Sequence, residues 1–267
     1  MIAALIAAAL AASAPTPSVP TALPASSNAR PALWVVNDED TIIYLFGTFH
    51  ALDGKSQWFN DEVETAFNHS NQLVLETLVP QRIKTPPPPR PVGIQAVGPF
   101  AGSASFLTSS KQVMSAGRAQ GMSTERGADA ILRTAAEEVG KPVEGLESFQ
   151  FQLNMFAKMA GTKPPSDPVA AARSKAAMAA VLTRLQAAWN QGDVESFAPM
   201  LQQMEANSPD SYKLLFQERN GRWAAWIARR LQQPGVVFVA VGAGHLAGKD
   251  SVQHKLAQFG IRSARVN

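Results

Sequence analysis

Two short stretches of the chain share a pattern that can carry chemistry. Phe46-Gly47-Thr48-Phe49-His50 and Val241-Gly242-Ala243-Gly244-His245 each read apolar residue, glycine, two residues, histidine. Each follows an apolar run suited to a buried strand, Thr41 to Phe46 in one case and Val236 to Val241 in the other. Glycine there permits a tight turn, and the imidazole then projects from the strand's carboxyl end. In open α/β sheets that edge is where ligands bind. One Gly-x-x-His is common by chance, and either histidine alone is compatible with a satisfied structural role. Two of them, both after buried strands, point to one shared site.

Two carboxylates belong to the same pattern. Glu76 closes the run Leu73-Val74-Leu75, and Glu147 closes a strand expected over Lys141 to Leu146. A carboxylate at the end of an apolar run is costly to bury without a cation, whether metal, Arg or imidazolium. His50, His245, Glu76 and Glu147 on one sheet edge would make a two-His-carboxylate site for a divalent metal (Mn, Co or Zn), with positions open to water. Without a metal, a His paired to a Glu can still act as general base. Plainer readings compete: Glu147 as the cap of a helix starting at Phe149, and Glu76 as the partner of an Arg. Arg219, in Glu218-Arg219-Asn220, is a candidate to pair with a site carboxylate or to hold a substrate carboxylate bidentately; a solvated helix face is the alternative. His69 and His254 read as surface residues.

The elements that must position these groups follow from pattern and punctuation. Leu33 to Val36, the polar Asn37 to Asp40 and Thr41 to Phe46 read strand, turn, strand. A helix follows over Asn60 to Phe67, with Asn60 as N-cap and Asp61 and Glu62 in the first turn. The predicted order then runs: a strand to Glu76, an extended loop over Pro80 to Pro99, helix from Ser109 to Gly140, a strand to Glu147 and a helix over Phe149 to Met159. Gly161 to Pro168 reads as a linker. Ala170 to Arg230 is nearly all helical, interrupted near Gly192 and Pro209. Val236 to Val241 is a buried strand, Asp250 to Phe259 a helix and Ile261 to Val266 a last strand. The expected fold is α/β: a mixed sheet with flanking helices, and a helical subdomain over about 170–230 covering the site. Sequence alone leaves the strand order open.

With 46% hydrophobic and 17% charged residues, the chain is core-forming. A net charge of +3 without a Lys/Arg run argues against nucleic-acid binding. The chain has no cysteine, which excludes disulfides, thiolate metal sites and thiol nucleophiles. Met1 to Ala14 is an apolar run ending in small-x-small sites (Ala9-Leu10-Ala11 and Ala12-Ser13-Ala14), so residues 1–14 read as a signal peptide too short to span a bilayer. Residues 15–31, rich in Pro, Ser and Ala, read as a disordered linker, with the folded domain over 32–267.

Taken in order, Tyr44 to His50, Val74-Leu75-Glu76, Gly145-Leu146-Glu147 with Gln152, Glu218-Arg219-Asn220 and Val241 to Leu246 resemble the TraB/GumN/TIKI family, its GumN-like bacterial branch above all, from about Leu33 to Asn267. TIKI members are similar to metal-dependent peptidases that use two Gly-x-x-His motifs and a glutamate. TraB and PrgY are implicated in reducing peptide pheromone activity. The wider superfamily includes erythromycin esterase and haem-associated ChaN-like proteins. The family's site residues carry over onto His50, Glu76 and His245, and less closely onto Arg219 and Asn220. Pro80 to Pro99 departs from the family in its proline content. The resemblance implies a metal-dependent hydrolase of peptide or amide bonds acting on a peptide or another small envelope substrate; the N-terminal run adds export, to a periplasmic or secreted location without stable membrane insertion once the signal is removed. A non-catalytic binder of peptides or envelope glycans, and a metal-free esterase-like hydrolase, are the alternatives.

Overall fold

A computed structural model of the protein describes residues 28–79, 104–159 and 166–267. The expected signal peptide, most of the expected linker and the proline-rich loop over 80–99 lie outside the described residues.

One six-stranded sheet organises the described chain, in the order β4 (Val143–Glu147), β3 (Gln72–Thr77), β5 (Gly235–Gly242), β2 (Thr41–Thr48), β1 (Leu33–Asn37), β6 (Ala264–Arg265). Strands β1 (Leu33–Asn37) and β2 (Thr41–Thr48) form the antiparallel hairpin expected from the polar turn. Asp38 Oδ1 closes that turn by accepting from the Thr41 N–H at 2.9 Å. Strands β3 (Gln72–Thr77), β4 (Val143–Glu147) and β5 (Gly235–Gly242) run parallel to one another and to β2. β6 is only Ala264–Arg265, antiparallel to β1, shorter than the strand expected over Ile261 to Val266. The sheet is therefore mixed and the fold α/β. β2, β3 and β5 are apolar without alternation because they lie inside the sheet with both faces covered, as parallel strands require. Phe46, Phe67, Phe238 and Trp58 pack together in that core, with ring centroids 5.6 to 5.8 Å apart for the stacked pair Phe46–Trp58, the tilted pair Phe46–Phe238 and the edge-to-face pair Phe67–Phe238.

The helices are α1 (Asp61–His69), α2 (Ala104–Ala119), α3 (Ala128–Glu138), α4 (Phe149–Ala157), α5 (Pro168–Asn190), α6 (Ala198–Asn207), α7 (Pro209–Tyr212), α8 (Glu218–Arg230) and α9 (Val252–Ala257). The helix expected from Ser109 to Gly140 is two helices. Gly121 breaks it at φ +76°, a left-handed conformation that suits glycine. Asn60 does precede α1, but its side chain caps nothing there and instead donates to the Ala29 carbonyl at 2.6 Å. Between α7 and α8, Lys213–Gln217 forms a π-helical turn. Among the described residues, no helix is long and apolar enough to cross a membrane.

Candidate functional site

β2 and β5 are hydrogen-bonded neighbours in parallel register, with Thr48 opposite Gly242. The two histidines therefore leave the sheet side by side, His50 just past β2 and His245 in the 3-10 turn Ala243–Leu246. β3 flanks β5 on the other side and brings Glu76 to the same edge. His50 Nε2 lies 3.9 Å and His245 Nε2 3.7 Å from one atom, Glu76 Oε1.

Both motif glycines serve close approach. Neither has positive φ, so the tight-turn reason expected from the sequence is replaced by a spatial one. A Cβ on Gly242 would stand 3.1 Å from Glu76 Oε1 and 3.2 Å from His50 Nε2. A Cβ on Gly47 would stand 3.3 Å from Leu246 Cδ1 and 3.4 Å from Ala243. Each glycine makes room for the other motif. Trp189 Nε1 ties the β2 end down by donating to the Gly47 carbonyl at 2.7 Å.

Each imidazole is oriented through its Nδ1. Asn220 Nδ2 donates to the Asp250 carbonyl at 2.7 Å, which leaves Asn220 Oδ1 as an acceptor 2.6 Å from His245 Nδ1. His245 is thereby held with its proton on Nδ1 and a lone pair on Nε2. The ring lies between Trp223 and Phe216, 4.5 and 4.8 Å away. Burial, reinforced by Arg219 and His50 against the opposing effect of Glu76, pushes the His245 imidazole down to about 3. It is uncharged at neutral pH.

His50 is more open, with its side chain 17% exposed, and its Nδ1 bonds Asp129 Oδ2 closely. Sequence reasoning missed Asp129. The signal was faint: a lone acid in the first turn of α3, where the helix dipole favours it. Thr48 Oγ1 donates to the other Asp129 oxygen at 2.8 Å, and the Ala128 N–H reaches the Phe49 carbonyl at 3.0 Å. Gly127 makes this docking sterically feasible, since a Cβ there would overlap the His50 carbonyl.

Arg219, from α8, is the cation buried among the site carboxylates. Its Nε donates to Glu147 at 2.9 and 3.1 Å, its Nη2 to Glu76 Oε2 at 2.8 Å and its Nη1 to His245 Nε2 at 3.2 Å. Burial by itself would raise the Glu76 carboxyl; Arg219 beside it, with the Gly242 N–H, overrides that and holds the group well below the usual carboxylate range. Because His245 is uncharged, Arg219 is the standing cation that Glu76 faces. Glu147 meets Arg219, Arg222 at 3.4 Å and Gln152 Nε2 at 3.3 Å. Ser148, not Glu147, caps α4, accepting from the Phe151 N–H at 3.1 Å. Glu147 thus stands behind Arg219 and is separated by it from the histidines. His69 bonds Tyr44 and His254 bonds Ser251, both away from this group.

Among the described residues, no set of three His, Asp or Glu side chains is already gathered tightly enough to hold a metal ion. The donor types nevertheless suit one. His50 Nε2, His245 Nε2 and Glu76 Oε1 converge, and each imidazole has an acceptor behind it, as metal-binding histidines do. His50 Nε2, His245 Nε2 and Glu76 Oε1 would be the atoms to hold such an ion, and His245 Nε2 would then exchange its contact with Arg219 Nη1. Glu147, already engaged by two arginines, would support Arg219 in that arrangement. In front of the three donors lies a pocket lined by Phe49, Phe156, Leu185, Phe197, Leu215 and Phe216 among others.

A model of the TraB/PrgY/gumN family matches residues 32–86 and 91–265. No curated protein and no solved structure matches the chain.

Proposed function

The chain belongs to the TraB/PrgY/gumN family, and from that premise we propose that it is an exported, metal-dependent hydrolase of peptide or amide bonds. The observation that carries this reading is the convergence of His50 Nε2 and His245 Nε2 on Glu76 Oε1 at the floor of an apolar cavity. Those three atoms would hold the divalent ion, which when bound supplies a water ionised near neutral pH. Glu76 serves as third ligand or as the base that deprotonates water, with its carboxylate paired to Arg219. Asp129 and Asn220 fix the two rings, and Arg219 fixes Glu76. The phenylalanine and leucine walls limit water and receive apolar parts of the substrate. The apolar N-terminal run with its small-x-small sites supports export.

A second reading rests on one contact. His50 Nδ1 against Asp129 is also the arrangement of an oriented general base, which would deprotonate water at Nε2 without a metal. One experiment separates the two. Protein purified without chelator is analysed for metal and offered a peptide library, alone and with Mn, Co or Zn. Stoichiometric metal and metal-dependent cleavage support the proposal. Cleavage that survives exhaustive chelation replaces it with the metal-free reading, and absence of cleavage under all conditions leaves a binding protein. Intact mass of protein from an envelope fraction tests export; a full-length chain retained in the cytoplasm refutes it.

A further inference from the structure

The hollow at the site does not end at His50. A second cavity lies against Phe49 and His50, which line both. Its other walls include Val113, Met114 and Gly117 of α2, with Met122 and Leu182. Val113, Met122 and Leu182 are buried, whereas Met114 is 41% exposed and marks the open side. The charged residues along it, Arg118 and Glu125, have opposite signs.

Gly117 is the informative residue. It sits inside a helix, where glycine is less stable than alanine, and its φ is not positive. A Cβ there would meet Leu182 and Met122 at ordinary contact distances of 3.6 to 3.8 Å. Neither backbone conformation nor crowding demands glycine. What the missing side chain leaves is room in the cavity.

We propose that this second cavity is a specificity subsite that takes an apolar side chain, leucine-sized or larger, of a peptide whose reacting bond lies at His50. The inference rests on the hydrolase reading above. His50 lines both cavities, which puts the subsite next to the reacting bond. A charged or polar side chain would lose its hydration among Val113, Met122 and Leu182.

Methionine methyl NMR on the full chain, with N-acetyl-leucinamide and N-acetylglycinamide as probes, tests this directly. The Met114 and Met122 methyl signals should shift saturably with the leucine probe and not with the glycine probe. Gly117→Leu, which fills the cavity, should abolish the shifts with circular dichroism unchanged; Met114→Lys, at the open side, is the second variant should the first fail to fold. Between peptides differing only in Leu or Gly beside the cut bond, the wild type should favour Leu by about tenfold or more, and Gly117→Leu should bring that ratio near unity. No methyl shift, or shifts that survive both variants, overturn the subsite. Shifts as expected with no peptide cleaved leave the apolar binding site standing and remove the hydrolase reading alone.

Discussion

His50 and His245 face the same oxygen of Glu76 because the strands that precede them are in register, Thr48 opposite Gly242. In a parallel pair, equivalent residues leave the sheet at the same edge, so two similar motifs on neighbouring strands deliver two similar groups to one point. The distance between them in the chain is irrelevant once β2 and β5 pair.

Gly242→Ala follows from that closeness. The added methyl would lie 3.1 Å from Glu76 Oε1 and 3.2 Å from His50 Nε2. Overpacking of this kind costs about 1–3 kcal/mol. Urea denaturation should show a loss in that range, with the cooperative transition retained, while hydrolysis falls by about a hundredfold or more. Full activity in Gly242→Ala would mean that the space between His50 and Glu76 is not used.

Arg219→Met should be the most damaging single change to stability at the site. It leaves Glu76 and Glu147 buried, and Arg222, at 45% exposure, is paired with Glu147 and Glu218. Removing one partner from such a buried network costs about 3–5 kcal/mol. Equilibrium unfolding measures it. A double variant that also carries Glu76→Gln should recover part of the loss, because one uncompensated charge is gone.

Much of this site was legible in the sequence because its parts lie at strand ends. Apolar runs closing on Gly-x-x-His or on Glu announce both the strand and the edge, which is how His50, Glu76, Glu147 and His245 were found. What was not legible depended on strand order and on helix docking. Glu147 reads like Glu76, yet Arg219 stands between it and the histidines, a relationship set by how α8 packs across the sheet edge. Asp129 has no flanking pattern; it becomes part of the site only because Gly127 lets α3 dock on the His50 backbone. The glycines were found for the wrong physical reason, since their role is space between elements, which local sequence does not encode.

Tyr212 makes a pH prediction away from His50, Glu76 and His245. Its hydroxyl donates to Asp250 Oδ2 at 3.0 Å, and burial followed by the Asp250 charge pushes the phenol well above its usual value. A phenol raised in the folded state keeps its proton there after the unfolded chain has lost it. Its contribution to stability is therefore complete below the unfolded value of about 10 and is lost as pH rises beyond it. Between about pH 10 and 12, wild-type stability should fall more steeply than that of Tyr212→Phe. Phenolate absorbance provides the second check: of the two tyrosines in the chain, one should fail to ionise until the protein unfolds. Equal pH slopes for the two proteins would remove Tyr212 from the account.

The last prediction concerns division of labour. His50→Ala, His245→Ala and Glu76→Gln each remove one converging donor and should abolish hydrolysis, with far-UV circular dichroism retained. His254→Ala, exposed and bonded to Ser251, should leave turnover unchanged. Asp129→Asn should fall between these. Asn keeps the shape and the place in the first turn of α3, but loses the charge behind His50 Nδ1 while keeping an oxygen for Thr48. Outer partners of metal-binding histidines contribute about 10–100-fold to affinity or activity. Asp129→Asn should therefore weaken Mn or Zn binding, read by isothermal titration, and lower turnover by about the same factor, with saturating metal restoring part of the activity. If turnover drops far more than metal affinity and added metal restores nothing, Asp129 is supporting a general base, and the metal-free reading of His50 replaces the metal-bound one.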